Sequence, residues 1–154
     1  MVTLEVDESA WTQLLSRLRG AIDTVDAGLE DAGLSITDRI AMHMAQEVDP
    51  QGQPWPRLAP ATRQRRQRLG KGGASMLNVT GALRRSLYHR SKDEQLAIGF
   101  ERFYALYHEF GVPGKKLPRR GLLLADTASG QVAERDLETV VQGLLTHIQE
   151  AVDG

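Results

Sequence analysis

From Val25 to Met44, apolar side chains recur every three or four positions, at Val25, Leu29, Ala32, Ile36, Ile40 and Met44. That period predicts an amphipathic helix from about Asp23 to Val48, stopped by Pro50. Gly28 and Gly33 weaken its first half and allow a break there. Upstream, Val2, Leu4 and Val6 alternate with polar residues, a short strand pattern. Asp7 or Ser9 then caps a first helix carrying Trp11, Leu14, Leu15 and Leu18 and ending near Gly20. At the other end, Val132, Leu137, Val140, Val141, Leu144, Leu145, Ile148 and Val152 mark a C-terminal amphipathic helix of about 20 residues.

Between these helices the pattern is broken. Residues 49–75 read as an extended loop, with three prolines between Asp49 and Pro56. Pro60 suits the first turn of a short helix over the Arg-rich residues 61–69. Residues 70–75 have the composition of a flexible linker. Thr80 is a good N-cap for a helix through Leu83 to Leu87. Gln95–Phe100 reads as a strand that residues 87–91 pair with through the polar turn Ser91–Glu94. Phe103–Phe110 has helical spacing and stops at Gly111. Residues 112–121 form a second basic loop, and Leu122–Leu124 reads as a buried strand or a helix start. The expected class is α+β, with two N-terminal helices, a small antiparallel sheet, long Pro/Gly/Arg-rich loops and a C-terminal amphipathic helix. The length of 154 residues fits one domain.

Charge changes this picture more than composition does. The chain holds 19 Lys+Arg and 20 Asp+Glu, net −1. Residues 1–49 carry 3 basic and 10 acidic side chains, and residues 50–92 carry 10 basic and none acidic. Residues 93–125 carry 5 and 4, and residues 126–154 carry 1 and 6. Such segregation suggests a polyanionic partner or head-to-tail self-association. The absence of cysteine excludes disulfides, thiolate metal sites and a Cys nucleophile. No basic n-region precedes an apolar stretch at the N-terminus, and the apolar run Leu122–Ala125 is far short of a membrane span. The expected setting is the cytoplasm where the protein is made.

The candidate chemistry is sparse. His108-Glu109 opens like a zincin helix, but the partner position holds Val112. His43 and Glu47 lie one turn apart and read as a surface contact. Gly70-Lys71 lacks the flanking residues of a phosphate loop, and no G-x-S-x-G elbow is present. The adjacent carboxylates Asp7/Glu8, Glu30/Asp31 and Asp93/Glu94 read as solvent-facing. No catalytic, metal or cofactor site is expected. The sharpest signal is Arg57, Arg63, Arg65, Arg66, Arg68 and Lys71 within 15 residues. On a helix, Arg65 and Arg68 share one side and Arg63 and Arg66 a neighbouring ridge. This cluster suits phosphates of a nucleic acid, the acidic face of another subunit, or plain solvation. Trp55, between two prolines, anchors either its own loop or a partner, the former being favoured.

Three segments together resemble a family. Asp49-Pro50-Gln51-Gly52-Gln53-Pro54-Trp55-Pro56-Arg57-Leu58-Ala59-Pro60-Ala61-Thr62 resembles its D-x-x-G-x-x-W-x-x-L-S-P-x-T segment. Leu77-Asn78-Val79-Thr80-Gly81-Ala82-Leu83-Arg84-Arg85-Ser86-Leu87 is similar to L-x-x-T-G-x-L-x-x-S-I. Tyr104-Ala105-Leu106-Tyr107-His108-Glu109-Phe110-Gly111 is similar to Y-A-x-x-H-x-F-G. The family is the virion morphogenesis, or tail completion, proteins of Mu-like and P2-like tailed phages. Its order and spacing are kept over about residues 40–125. Pro118-Arg119-Arg120-Gly121-Leu122-Leu123 departs from the usual P-x-R-P-F-L, with Gly121 and Leu122 in place of Pro-Phe.

The resemblance implies a non-enzymatic structural protein at the head-proximal end of the tail, in the virion and in the host cytoplasm during assembly. It implies a ring, of six copies in related neck proteins. The implied partners are other neck, head-completion, tail-terminator or tail-tube proteins, and genomic DNA in the channel. No membrane and no small-molecule substrate are implied. Thr80-Gly81 then sets a helix start, and His108, beside Phe110-Gly111, hydrogen-bonds and fixes the helix end. A DNA-binding accessory protein using Arg57–Lys71 is the alternative.

Overall fold

The computed structural model describes residues 8–153. The strand pattern at Val2, Leu4 and Val6 lies outside the described residues, as do Asp7 and the side chains of Trp11 and Leu18. Helix α1, Glu8–Asp23, and helix α2, Val25–Gln46, are separated by Thr24 alone. The Thr24 amide donates to the Gly20 carbonyl at 3.1 Å, and Gly28 to Thr24 at 3.0 Å, so the backbone ladder barely lapses.

Helix α2 runs unbroken through both glycines and buries Leu29, Ala32, Ile36, Ile40 and Met44, the predicted stripe. The break allowed at Gly28 and Gly33 does not occur, because these glycines are sites of close approach. A Cβ on Gly28 would lie 3.1 Å from the carbonyl oxygen of Gly143, and one on Gly143 would lie 2.9 Å from that of Gly28. Gly143 belongs to helix α6, Glu134–Asp153. The two helices therefore cross backbone to backbone, and Arg39 of α2 pairs with Asp136 and donates to Thr139 Oγ1 at 2.8 Å. Gly33 makes room in the same way for the His89 ring. The helix ends at Gln46, where Glu47 turns to φ 59°, two residues short of the predicted Val48.

Helix α3, Pro60–Arg68, starts at the proline the sequence marks. Helix α4 is one turn, Ala82–Arg85, and strand β1, Leu87–Lys92, follows at once. The helix expected through Leu87 is thus cut short: the Ser86 hydroxyl donates to the Leu83 carbonyl at 2.7 Å and closes the turn. Strand β1 pairs antiparallel with β2, Gln95–Phe100, with Lys92 opposite Gln95. Asp93 and Glu94 both take positive φ, the twist a two-residue hairpin demands. After helix α5, Ala105–Phe110, a second small ladder joins β3, Leu124–Asp126, to β4, Gln131–Val132. Leu122 and Leu123 precede that strand.

The fold is α+β. Its main core joins Ile36, Ile40 and Met44 of α2 to Trp55, Leu83, Ala105 and Leu122. Trp55, Leu83 and Ala105 come one from each of the three phage-like segments, so those segments converge on one apolar centre, which Leu122 joins. Among the described residues, no helix is long and apolar enough to cross a membrane.

Candidate functional site

Two buried ions organise the loops around that core. Glu109, on the inner face of α5, is 6% exposed. Its carboxylate accepts from the backbone amides of Leu122 and Leu123, each at 2.8 Å, and from Leu124 at 3.1 Å. Arg119 adds a bond from Nη2 at 3.3 Å and binds the Glu109 carbonyl through Nε at 2.9 Å. A carboxylate with this many donors replaces its hydration inside the protein. Arg120 is 3% exposed. Its Nε donates to the Pro56 carbonyl at 2.9 Å, its Nη2 to Arg57 at 3.2 Å, and its backbone amide to the His108 carbonyl at 2.7 Å. The second basic loop is thereby tied to the first.

Trp55 is the anchor of its own loop. It is 4% exposed and donates its indole N–H to the Gly121 carbonyl at 3.0 Å. Asp49 Oδ1 accepts from the amides of Gln51 and Gln53, which closes the turn ahead of it. Gly121, one of the departures from the family pattern, leaves space taken by the Arg119 guanidinium and Pro50.

Between these loops lies a groove of about 850 Å3. Its apolar floor includes Leu77, Val79, Leu83 and Phe110, and its cations are Arg57, Arg66, Lys116 and Arg120. Among the described residues, no carboxylate lines it. Thr80, Tyr104, His108 and Gly111 are also on its wall. Burial, and then the charge of Arg120, hold the His108 pKa below the ordinary 6.5, so its imidazole is neutral at pH 7. The groove holds no paired acid, base and nucleophile. Its lining is partly apolar and positively charged.

The structure separates the Arg cluster. Arg63, Arg65 and Arg68 of α3, with Arg57 and Lys71, are exposed and make no ion pair with a described carboxylate. Arg66 departs from its expected solvent position. Its Nη1 donates to the carbonyls of Ala74 at 3.2 Å and Ser75 at 3.1 Å, and its Nη2 to that of Met76. Residues 70–75, expected to be a flexible linker, are therefore folded back on α3, where Arg66 supplies the donors that their carbonyls need.

Two motif residues need correction. The helix α4 cap is Gly81, at φ 73°, while Thr80 Oγ1 accepts from the Ala82 amide at 3.3 Å. The Gly81 conformation sets the helix start. The His108 side chain makes no hydrogen bond at its buried Nδ1; the helix end is held instead by its backbone carbonyl, which accepts from Arg120. Gly111 ends α5 at φ 69°, and a Cβ there would meet the Arg119 amide at 2.9 Å.

Several acidic side chains also have partners within the chain. Glu30 accepts from Ser91 at 2.8 Å and meets His89 at 2.8 Å, and its pKa is lowered, chiefly by the His89 bond. Asp31 meets His147 at 2.7 Å, and Glu47 accepts from the Met76 amide at 2.7 Å. Among the described residues, no group of three or more His, Asp or Glu side chains is arranged to hold a metal.

Sequence reasoning missed Glu109 and Arg120. Glu109 falls at an unspecified place in its segment, and its only signal is a carboxylate on the apolar side of a short helix.

No curated protein and no solved structure matches the chain. The model of the phage virion morphogenesis family matches residues 6–151. That span takes in the core, both buried ions and the groove, and the chain belongs to the phage virion morphogenesis family.

Proposed function

We infer that the chain is a non-enzymatic structural part of the virion, acting in tail completion at the head-proximal end of the tail. In this reading it assembles as a ring, six copies being the expected number, and helps join tail to head beside other neck, head-completion and tail-terminator or tail-tube proteins. The observation that carries the reading is the family match over residues 6–151. A cation-lined groove beside exposed α3 supports it, since a ring needs one face to meet a different face of the next copy.

Electron microscopy of the purified protein, alone and added to isolated tails that lack it, tests the reading. The expected result is a closed ring and new density at the head-proximal tip. Tails that bind none of the protein would reject it.

The exposure of Arg57, Arg63, Arg65, Arg68 and Lys71 favours a second reading, contact with duplex DNA through phosphates alone. Binding that weakens steeply with salt is then expected. An absence of binding at about 50 mM salt removes it.

A further inference from the structure

Helix α6 packs on both α2 and α1. Beside those contacts, Leu137, Val141, Leu145, Ile148 and Val152 remain 56, 52, 56, 37 and 41% exposed. They follow one another at intervals of four, four, three and four, which places them on a single stripe about 22 Å long. An apolar stripe of this length on one helix marks a contact surface. The helix bearing it has five carboxylates and one arginine. Glu134, Glu138 and Glu150 are exposed and make no ion pair with a described cation.

Of the α6 carboxylates, Glu134 and Glu138 border the stripe, whereas Glu150 lies on the opposite side of the helix. A parallel pairing of two stripes would set Glu134 and Glu138 against their own copies. The surface with the opposite rim is the groove, whose floor is apolar, whose cations include Arg57 and Lys116, and which no carboxylate of the described residues lines. Its apolar surface continues outward. Phe110 lines the groove and is 50% exposed; Leu106 and Tyr107 of α5 are exposed as well, as is Phe103 just before the helix.

We propose that the α6 stripe of one copy docks in the cation-lined groove of the next, over Phe110 and beside Lys116. This is an amphipathic helix laid in a groove, with anchors at helical spacing. Because stripe and groove are different surfaces of the same chain, the contact is head-to-tail and repeats from copy to copy. The proposal rests on the self-assembly reading above and names the two surfaces that carry it.

The chain has no cysteine, so introduced thiols report alone. The full-length variants Phe110→Cys and Val141→Cys, treated with a short bismaleimide, test the docking, with light scattering run beside them. The mixture of the two is expected to give a cross-linked dimer, the double variant a ladder of multimers, and each single variant alone nothing. Separately, Glu138→Lys and Lys116→Glu are each expected to weaken association at least about tenfold, and their combination to recover part of the loss. Cross-linking of Val141→Cys to itself overturns the proposal in favour of paired α6 helices. A monomer in which that thiol resists alkylation overturns it by placing another segment of the same chain on the stripe. An oligomer with no 110–141 cross-link and no response to the charge variants overturns the docking and leaves self-assembly standing. A protein that is monomeric in solution and uncross-linked on tails overturns both.

Discussion

The Glu109 carboxylate lies 2.8 Å from the amide nitrogen of Leu122, and the same oxygen takes the amide of Leu123. One side chain thus does for the 122–124 segment what a neighbouring strand would do in a sheet. Glu109→Ala leaves three amides and Arg119 without that acceptor, at an expected cost of about 3 kcal/mol or more. Glu109→Gln keeps one acceptor oxygen and is expected to cost about half as much. Urea unfolding of both variants measures this; equal stability of Glu109→Ala and the parent would contradict the assignment.

Gly143 and Gly20 give a matched contrast. Both are helical, and alanine at either gains about 1 kcal/mol of helix propensity. Gly20 has nothing within 4 Å of a Cβ, so Gly20→Ala is expected to raise the melting temperature. At Gly143 the added Cβ meets the Gly28 carbonyl at 2.9 Å, so Gly143→Ala is expected to lower it. Thermal melts of the two variants suffice, and a rise in both would mean that the helices separate without cost.

The depressed His108 pKa sets a pH dependence. Burial comes first among its causes and Arg120 second. The unfolded chain takes up the proton near pH 6.5 while the folded protein resists it, so stability falls as pH drops below about 6.5. His43, also lowered by burial, contributes in the same direction. The urea midpoint is expected to fall between pH 7.5 and 5.5 by less in His108→Gln than in the parent. An unchanged pH profile in that variant would assign the effect elsewhere.

Arg66 and its neighbours divide by role. Arg65→Glu with Arg68→Glu is expected to leave stability within about 0.5 kcal/mol, since both side chains are exposed. Arg66→Glu strips three carbonyls of their donor and is expected to cost about 1–3 kcal/mol. In a tail-completion assay the exposed pair is the informative variant, because a defect there cannot be charged to misfolding. Normal completion by it would remove α3 from the contact surface.

The stripe of α2, the Pro60 start of α3, the hairpin and the stop at Gly111 were legible because each follows from local period or local backbone chemistry. Trp55 as a loop anchor was legible from its size and flanking prolines. What the sequence hid was tertiary. Gly28 and Gly33 read as weak points because propensity is a property of an isolated helix, whereas their reason lies on α6 and β1. Arg66 read as one of six similar cations because its carbonyl partners stand eight to ten residues away in a segment with no pattern of its own. His108 was expected to hydrogen-bond at the helix end, and the bond is made by its carbonyl, which every residue type has. Glu109 and Arg120 serve backbone atoms, and backbone acceptors and donors leave no residue-type signature.

The crossing of Gly28 over Gly143 also fixes an order of events during synthesis. Helix α2 supplies the centre of the core, yet one flank of it stays open until residues beyond Gly143 have left the ribosome. At about 5–20 residues per second, that wait is several seconds long. Through it the chain has a bare apolar flank, a delay written into two residues without side chains.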